Sequence, residues 1–209
     1  MKAGSGKIRL VGCGILEKEF LSLPEELRES FDSRFLDSEL HIHPERLDRV
    51  LGALVEHQGP EPIVFLFGDC CPHMAEMSSG KAARRVRGAN CIEIYLGTER
   101  YRRMRKEGTF FLMPEWAQRW ERIVKEELGL DTRELAREFM ADTMTKAAYV
   151  DTGSLPVPHD ELAAFSEYTG LTVDILPTGT EYLREALEKA RKSLPPEEIR
   201  DLSEKSVDA

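Results

Sequence analysis

Short apolar runs alternate along this chain with segments in which apolar residues recur at helical spacing. Residues 63–67 are apolar throughout, without the alternation of a half-exposed strand, which predicts a strand covered on both faces. After Pro44, the residues Leu47, Leu51 and Leu54 repeat at helical spacing, and Gly59 is a typical helix terminator. This alternation predicts an α/β fold, a Rossmann-like parallel sheet of about five or six strands with helices on both faces.

The same patterns place the remaining elements. We predict strands at residues 7–11, 63–67, 84–87, 109–112, 147–150 and 171–176, with a weaker extended piece at 34–36. Helices are predicted at residues 15–23, 91–96, 98–106, 159–168 and 182–190, after Pro44 and Pro114, and up to about residue 144 behind a capping pattern at Asp131 and Glu134.

The length and the net charge of the chain limit which fold and which partners it can have. A chain of 209 residues is long enough for one sizeable core, so we predict a single α/β domain over residues 1–194 and a disordered, charged tail over 195–209. The net charge of −9 disfavours nucleic acid and anionic membranes as partners. No apolar stretch approaches the ~20 residues of a membrane span, and the first six residues lack the apolar core of a signal peptide, so we expect a cytoplasmic protein.

All four cysteines follow predicted strands, at three places in the chain. Cys13 comes after the first strand, the pair Cys70 and Cys71 after the apolar strand at 63–67, and Cys91 after the strand at 84–87. The carboxyl ends of parallel strands meet at one edge of a sheet, where ligands bind in folds of this class. We therefore expect thiols that are distant in sequence to converge there.

The residues alone leave three interpretations of these thiols open. They could be inert buried side chains, ligands of zinc, copper(I) or an iron–sulfur cluster, or a nucleophile served by a nearby base. His73 can supply a fourth metal ligand or act as that base. The negative charge of Asp69 raises the pKa of the adjacent Cys70 thiol unless a nearby cation offsets it. A bound metal ion would be such a cation, so this pairing favours a metal site. The predicted ligands are Cys13, Cys70, Cys91 and either Cys71 or His73.

A second group of polar residues is predicted to line the same edge. Arg100 and Tyr101 follow Cys91 on the next helices, and Asp151 and Thr152 follow the strand at 147–150. We interpret these four as candidate cofactor-binding residues. A basic cluster around them favours an anionic small molecule as an alternative ligand; its members are Arg84, Arg85, Arg87, Arg100, Arg102, Arg103, Arg105 and Lys106.

An ordered block of motifs resembles the uncharacterised family known as domain of unknown function 1638 (DUF1638). The resemblance covers roughly residues 7–190. The segments that carry it are Cys13-Gly14, Phe67-Gly68-Asp69-Cys70-Cys71-Pro72-His73-Met74, Gly88-Ala89-Asn90-Cys91-Ile92-Glu93, Leu96-Gly97, Arg100-Tyr101, Gly108-Thr109-Phe110-Phe111-Leu112, Pro114-Glu115-Trp116 and Tyr149-Val150-Asp151-Thr152-Gly153.

The resemblance adds a biological setting to the site. It implies that Cys13, Cys70 and Cys91 match cysteines of the family pattern, and that Cys71 stands where other members carry histidine. It also implies a role in anaerobic corrinoid-linked one-carbon metabolism, as a redox or accessory factor with a corrinoid protein or a methyltransferase as partner. We therefore expect an iron–sulfur cluster or zinc; a metal-free cysteine-dependent enzyme and an anionic small-molecule-binding protein remain the alternatives.

Overall fold

The computed structural model describes residues 7–57, 61–80 and 82–195. The chain divides into two compact units, each with its own parallel sheet. The first unit contains the described residues up to Ile94 together with those from Glu181 onward, and the second runs from Tyr95 to Thr180. The α/β class and the parallel strand pairing are confirmed, although the strands form two sheets where the sequence pattern predicts one.

Among the described residues, the strands are β1 (Ile8–Cys13), β2 (Phe31–Leu36), β3 (Ile63–Leu66), β4 (Ala83–Arg85), β5 (Thr109–Leu112), β6 (Lys146–Asp151) and β7 (Val173–Pro177). The helices are α1 (Glu17–Leu21), α2 (Glu25–Glu29), α3 (Pro44–Glu56), α4 (Met74–Met77), α5 (Cys91–Leu96), α6 (Thr98–Lys106), α7 (Pro114–Gln118), α8 (Arg133–Thr143), α9 (His159–Thr169) and α10 (Glu181–Lys192), with a π-helical turn at Arg122–Glu127 and 3-10 turns at Gly14–Leu16 and Ser38–Ile42.

The first unit is built on a four-stranded sheet in the order β2-β1-β3-β4, with all neighbours parallel. In its register Val11 lies opposite Phe65, and both pack with Leu47 and Leu51 of α3 in one buried cluster. Helix α10 packs against β3 and β4. The strands are therefore covered by helices that leave the carboxyl edge of the sheet to its loops.

The second unit carries the three-stranded parallel sheet β5-β6-β7. Its core is aromatic: Phe165 of α9 stacks on Phe110 with ring centroids 5.7 Å apart and meets Trp120 edge to face at 5.9 Å. Aromatic pairs in these arrangements stabilise a core beyond the area they bury. This unit therefore has a hydrophobic core of its own.

Several predicted boundaries differ from the structure for identifiable reasons. The weak extended piece at 34–36 is the end of a full strand, β2, whose central residues are exposed and polar. The predicted helix at 15–23 is a 3-10 turn followed by α1, and Pro24 precedes a new helix, α2. The cap of α8 is Thr132, which accepts a hydrogen bond from the Leu135 N–H at 3.3 Å, rather than Asp131.

The predicted domain limits are not decided by these elements. The single domain over residues 1–194 stays a prediction, because the two units are each compact on their own. The predicted tail over 195–209 lies, apart from Pro195, outside the described residues. In the described parts of the chain, every helix is too short or too polar to cross a bilayer.

Candidate functional site: a three-thiol pocket

Three cysteines lie at the carboxyl edge of the first sheet. Cys13 is the last residue of β1, Cys70 follows β3, and Cys91 begins α5 after β4. The strand order reverses between β1 and β3, because the chain leaves β1 toward β2 and returns on the other side to form β3 and β4. Such a reversal leaves a crevice between the loops after the two strands, which is where open parallel sheets bind ligands. We call Cys13, Cys70 and Cys91 the three-thiol pocket.

Gly68 allows the loops that carry Cys70 and Cys91 to touch. A Cβ atom on Gly68 would lie 2.4 Å from the Ala89 carbonyl oxygen and 2.4 Å from the Asn90 Cα. Beside it, the Asp69 N–H donates to the same Ala89 oxygen at 2.8 Å. The loop after β3 is therefore in direct backbone contact with the loop before α5, and only glycine fits at this position.

Arg85 ties the same loops together through its side chain. Its Nη2 lies 2.9 Å from Oδ1 of Asp69, and its Nη1 donates to the Gly88 carbonyl at 2.7 Å. The structure thus gives Asp69, next to Cys70 in the chain, an arginine as its partner. Arg85 also supplies the cation beside Cys70 that the sequence argument required.

A side-chain cap fixes the start of α5, and hence Cys91. The Glu93 N–H donates to Oδ1 of Asn90 at 2.9 Å, and Oε2 of Glu93 accepts from the Ala89 N–H at 3.0 Å. Such reciprocal capping satisfies backbone donors that a helix start would leave open. Cys91 is therefore held at the first position of a capped helix.

The charges of the three thiols interact. Burial raises the pKa of Cys91 well above its ordinary value, and ionised Cys13 and Cys70 raise it further. The backbone N–H groups of Ile92 and Cys91 lower that pKa, as expected at a helix start, but burial outweighs them. Burial also raises the pKa of Cys70, and the nearby Arg85 only partly offsets it. The raised pKa values favour the protonated thiol over the thiolate at Cys70 and Cys91.

Cys71 and His73 are directed to a different group, Asp48 of α3. The Asp48 carboxylate accepts from the His73 backbone N–H at 3.0 Å and pairs with its Nδ1 at 2.8 Å. The Cys71 thiol also donates to Asp48; burial foremost, and this carboxylate next, raise the pKa of Cys71 to about 12. Asp48 carries no signal in the sequence, because no motif distinguishes it from the other polar residues of α3.

The four candidate cofactor-binding residues all belong to the second unit. The Tyr101 ring lies 5.7 Å from that of Phe111 in β5. Oδ1 of Asp151 accepts from the Gly153 N–H at 3.0 Å, and the Thr152 hydroxyl lies 2.7 Å from that of Ser154. Asp151, the last residue of β6, and Thr152 thus begin the turn that follows this strand. Their role, and that of Arg100 and Tyr101, stays a prediction.

The structure describes the pocket as a set of reduced thiols rather than a formed coordination shell. All four cysteines are unbridged. Within residues 7–57, 61–80 and 82–195, no three His, Cys, Asp or Glu side chains are grouped closely enough to hold a metal ion as they stand. The predicted metal or cluster therefore stays a prediction, and binding it requires the sulfur atoms to move toward each other.

Comparisons with known proteins identify the family of the chain but give no information about its function. No curated protein matches the chain, and no solved structure matches it. The family described as "Protein of unknown function (DUF1638)" matches residues 35–187, a span that contains Cys70, Cys71 and Cys91. Because this span is most of the chain, the protein is a member of the DUF1638 family.

Proposed function

We propose that this protein binds a soft metal ion or an iron–sulfur cluster through Cys13, Cys70 and Cys91. The observation that carries the proposal is their convergence. More than fifty residues separate Cys13 from Cys70, and twenty separate Cys70 from Cys91. Their segments nevertheless bring the thiols to one edge of the sheet, near enough for ionised Cys13 and Cys70 to raise the pKa of Cys91. Thiolates are the ligands preferred by zinc, copper(I) and iron–sulfur clusters.

The electrostatics of the pocket suit a bound cation. Two effects raise the pKa of Cys91, burial in a poorly solvated site and the charge of the neighbouring thiolates. A metal ion at the centre of three thiolates opposes both, because it compensates the lost solvation and replaces repulsion with attraction. The thiols then release their protons as the metal binds, so that binding strengthens with pH.

Metal binding is proposed to complete the site rather than to fill a finished one. The three cysteines are the last residue of a strand, a loop residue and the first residue of a short helix. Rotation of such side chains can shorten sulfur–sulfur separations without breaking the sheet. Metal sites commonly form in this way, with ligand binding and local ordering coupled.

The proposed setting is anaerobic corrinoid-linked one-carbon metabolism in the cytoplasm, with this protein as a redox or accessory factor. Its support is the family resemblance, which implies that setting and names a corrinoid protein or a methyltransferase as partner. The test is co-elution of the metal-loaded protein with a purified corrinoid protein or methyltransferase under anaerobic conditions. Separate elution of the loaded protein from both partner classes would reject this part of the proposal.

The metal itself is tested by purification under anaerobic conditions, followed by metal analysis and absorbance spectroscopy. Broad visible absorbance with iron and sulfide indicates a cluster, and stoichiometric zinc indicates a mononuclear site. Cys13→Ser and Cys91→Ser should each lose the metal. Cys71→Ser is the matched control, because that thiol donates to Asp48. Metal-free wild-type protein, before and after reconstitution, would overturn the proposal.

The alternative of a metal-free cysteine enzyme is less consistent with the pocket. A nucleophilic cysteine needs a lowered pKa, yet the pKa of each of Cys70, Cys71 and Cys91 is raised. The predicted base, His73, is oriented by Asp48 through Nδ1, a contact that catalytic bases also make, so the raised thiol pKa values and not this contact disfavour the enzyme. Alkylation by iodoacetamide separates the two functions: a single fast-reacting cysteine that ignores chelators favours the enzyme, whereas protection that disappears on chelation favours the metal.

Binding of an anionic small molecule is a second candidate function, supported by helix α6. Among the described residues, Arg102, Arg105 and Lys106 of this helix form no ion pair, and Arg103 reaches Glu107 only at 4.0 Å. Like charges at this spacing repel, so a bound anion would relieve them. Ligand-induced thermal stabilisation at low salt, lost in Arg100→Ala, is the expected result; equal stabilisation of both proteins would reject it.

A further inference from the structure

We propose that copies of this chain associate by placing helix α8 of one copy on helix α6 of the next. The inference goes beyond the proposed metal site and does not depend on it. Both helices belong to the second unit, which runs from Tyr95 to Thr180. Helix α8 presents an acidic and partly apolar face, and helix α6 presents a basic face. Each copy therefore carries two surfaces that complement each other.

Helix α8 exposes apolar side chains next to carboxylates. Leu135 and Phe139, one helical turn apart, are 43% and 45% exposed. Acidic residues lie beside them at steps of three or four residues, and they are Glu134, Glu138 and Asp142. Within the described residues, none of these three carboxylates forms an ion pair. This α8 face therefore suits a partner that is basic and also covers apolar surface.

Helix α6 has the matching properties. Arg102, Arg105 and Lys106 lie three or four residues apart, on the side of the helix away from the buried Met104. All three are exposed and form no ion pair in the part of the chain that the structure describes. Glu99 stands in the first turn, so the basic α6 face occupies the later turns. The aliphatic stems of arginine and lysine cover apolar surface while their charged groups stay in water.

The spacing of the charges on the two helices is the same. Arg102 and Lys106 are four residues apart, as are Glu138 and Asp142, so each pair spans about 6 Å along its helix. Two ion pairs can therefore form together when the helices lie side by side. An arginine of α6 that meets the exposed ring of Phe139 adds a cation–π contact.

The two faces lie on opposite sides of the second sheet. The Tyr101 ring of α6 lies 5.7 Å from that of Phe111, whereas the neighbouring Phe110 packs against the cluster that contains Ala136 and Met140 of α8. Successive side chains of a strand point to opposite sides of its sheet. The α6 and α8 faces of one chain therefore cannot meet each other. They meet those of other copies in a head-to-tail contact, which builds a ring or an open chain of copies.

Sedimentation analysis of the full chain at low salt tests the contact. The mean mass of the wild type should grow with protein concentration across the micromolar to millimolar range, as expected for a small interface. Glu138→Lys in α8 and Arg105→Glu in α6 should each weaken the association at least about tenfold. Because Glu138→Lys makes this acidic chain less negative, general charge repulsion alone predicts the opposite change. Glu56→Lys, at the exposed end of α3, is the matched control and should associate at least as well as the wild type.

An equimolar mixture of the two variants identifies the surfaces that meet. The Arg105→Glu chain keeps an intact α8 face and the Glu138→Lys chain an intact α6 face, so the mixture should associate although each variant alone does not. The inference is overturned if the wild type stays monomeric at every concentration or if either variant associates like the wild type. A mixture that stays monomeric would overturn it as well.

Discussion

Replacing Gly68 by alanine should separate the loops of the three-thiol pocket. The added Cβ would lie 2.4 Å from the Ala89 carbonyl oxygen, 2.7 Å from its carbonyl carbon and 2.4 Å from the Asn90 Cα. Carbon atoms in contact normally lie about 3.5–4.0 Å apart, so one loop must shift by about 1 Å or more. All three atoms belong to the backbone and cannot rotate away as a side chain would.

Two effects set the expected decrease in the free energy of unfolding. Overpacking of this kind costs about 1–3 kcal/mol, and the hydrogen bond from the Asp69 N–H to the Ala89 oxygen adds about 1 kcal/mol if the shift breaks it. Gly68→Ala should therefore lower the free energy of unfolding by about 2–4 kcal/mol. The matched control is Gly52→Ala in α3, where an added Cβ meets nothing within 4 Å and should stabilise by about 0.5–1 kcal/mol.

Urea unfolding followed by circular dichroism measures both variants. The two midpoints should move in opposite directions, with m-values close to that of the wild type. Iodoacetamide should also label Cys70 and Cys91 faster in Gly68→Ala, because separated loops expose their thiols. If Gly68→Ala unfolds at the wild-type midpoint, the two loops are not in backbone contact and the geometric basis of the pocket is wrong.

Three further predictions concern Asp48 and the second core. Because burial and Asp48 raise the pKa of Cys71 to about 12, its labelling by iodoacetamide at pH 8 should be at least about tenfold slower than that of a cysteine with the ordinary pKa of 9.0, since the smaller thiolate fraction outweighs the greater nucleophilicity of a more basic thiolate; equal rates would refute the buried contact with Asp48. Asp48 raises the pKa of His73. Their contact therefore stabilises the folded protein fully below the ordinary pKa of histidine, and this stabilisation is lost as the pH rises through the raised pKa. Asp48→Asn should lower that pKa in an NMR titration, and an unchanged value would contradict the pairing. Phe165→Ala should destabilise the second unit by about 3–5 kcal/mol in urea unfolding, because the side chain is buried in its core. The Phe139 side chain is 45% exposed, so Phe139→Ala should change stability by less than about 0.5 kcal/mol. Similar effects of the two substitutions would contradict the core assignment.

Elements with a strong local signal could be predicted from the sequence. The uninterrupted apolar run at 63–67 became β3, because a strand buried on both faces must be apolar on both faces. Strand β2 was only partly recognised, because Asp32, Ser33 and Arg34 are polar and exposed at the edge of the sheet. The division into two sheets has no local signal, since it depends on which strands pair.

The residues of the candidate site also differ in whether the sequence carries a local signal for them. Placing cysteines after parallel strands predicts a shared edge. The structure puts Cys13 at the end of β1, Cys70 after β3 and Cys91 after β4, and their role as one ligand set stays a prediction. Asp48 could not be found, because its contact with His73 joins residues twenty-five positions apart through tertiary packing. Arg85 was read as one member of a basic cluster, whereas the structure gives it a specific role between two loops.

Titration with Cd²⁺ measures whether the three cysteines share one site, because each cadmium–thiolate bond adds ultraviolet absorbance. We expect one equivalent to saturate the wild type and Cys71→Ser alike. Removing Cys13, Cys70 or Cys91 should each weaken binding by more than the 10–100-fold that is typical of losing an outer-shell partner. Wild-type protein without a cadmium–thiolate band, or single serine variants at these three positions that bind as tightly as the wild type, would contradict a shared pocket.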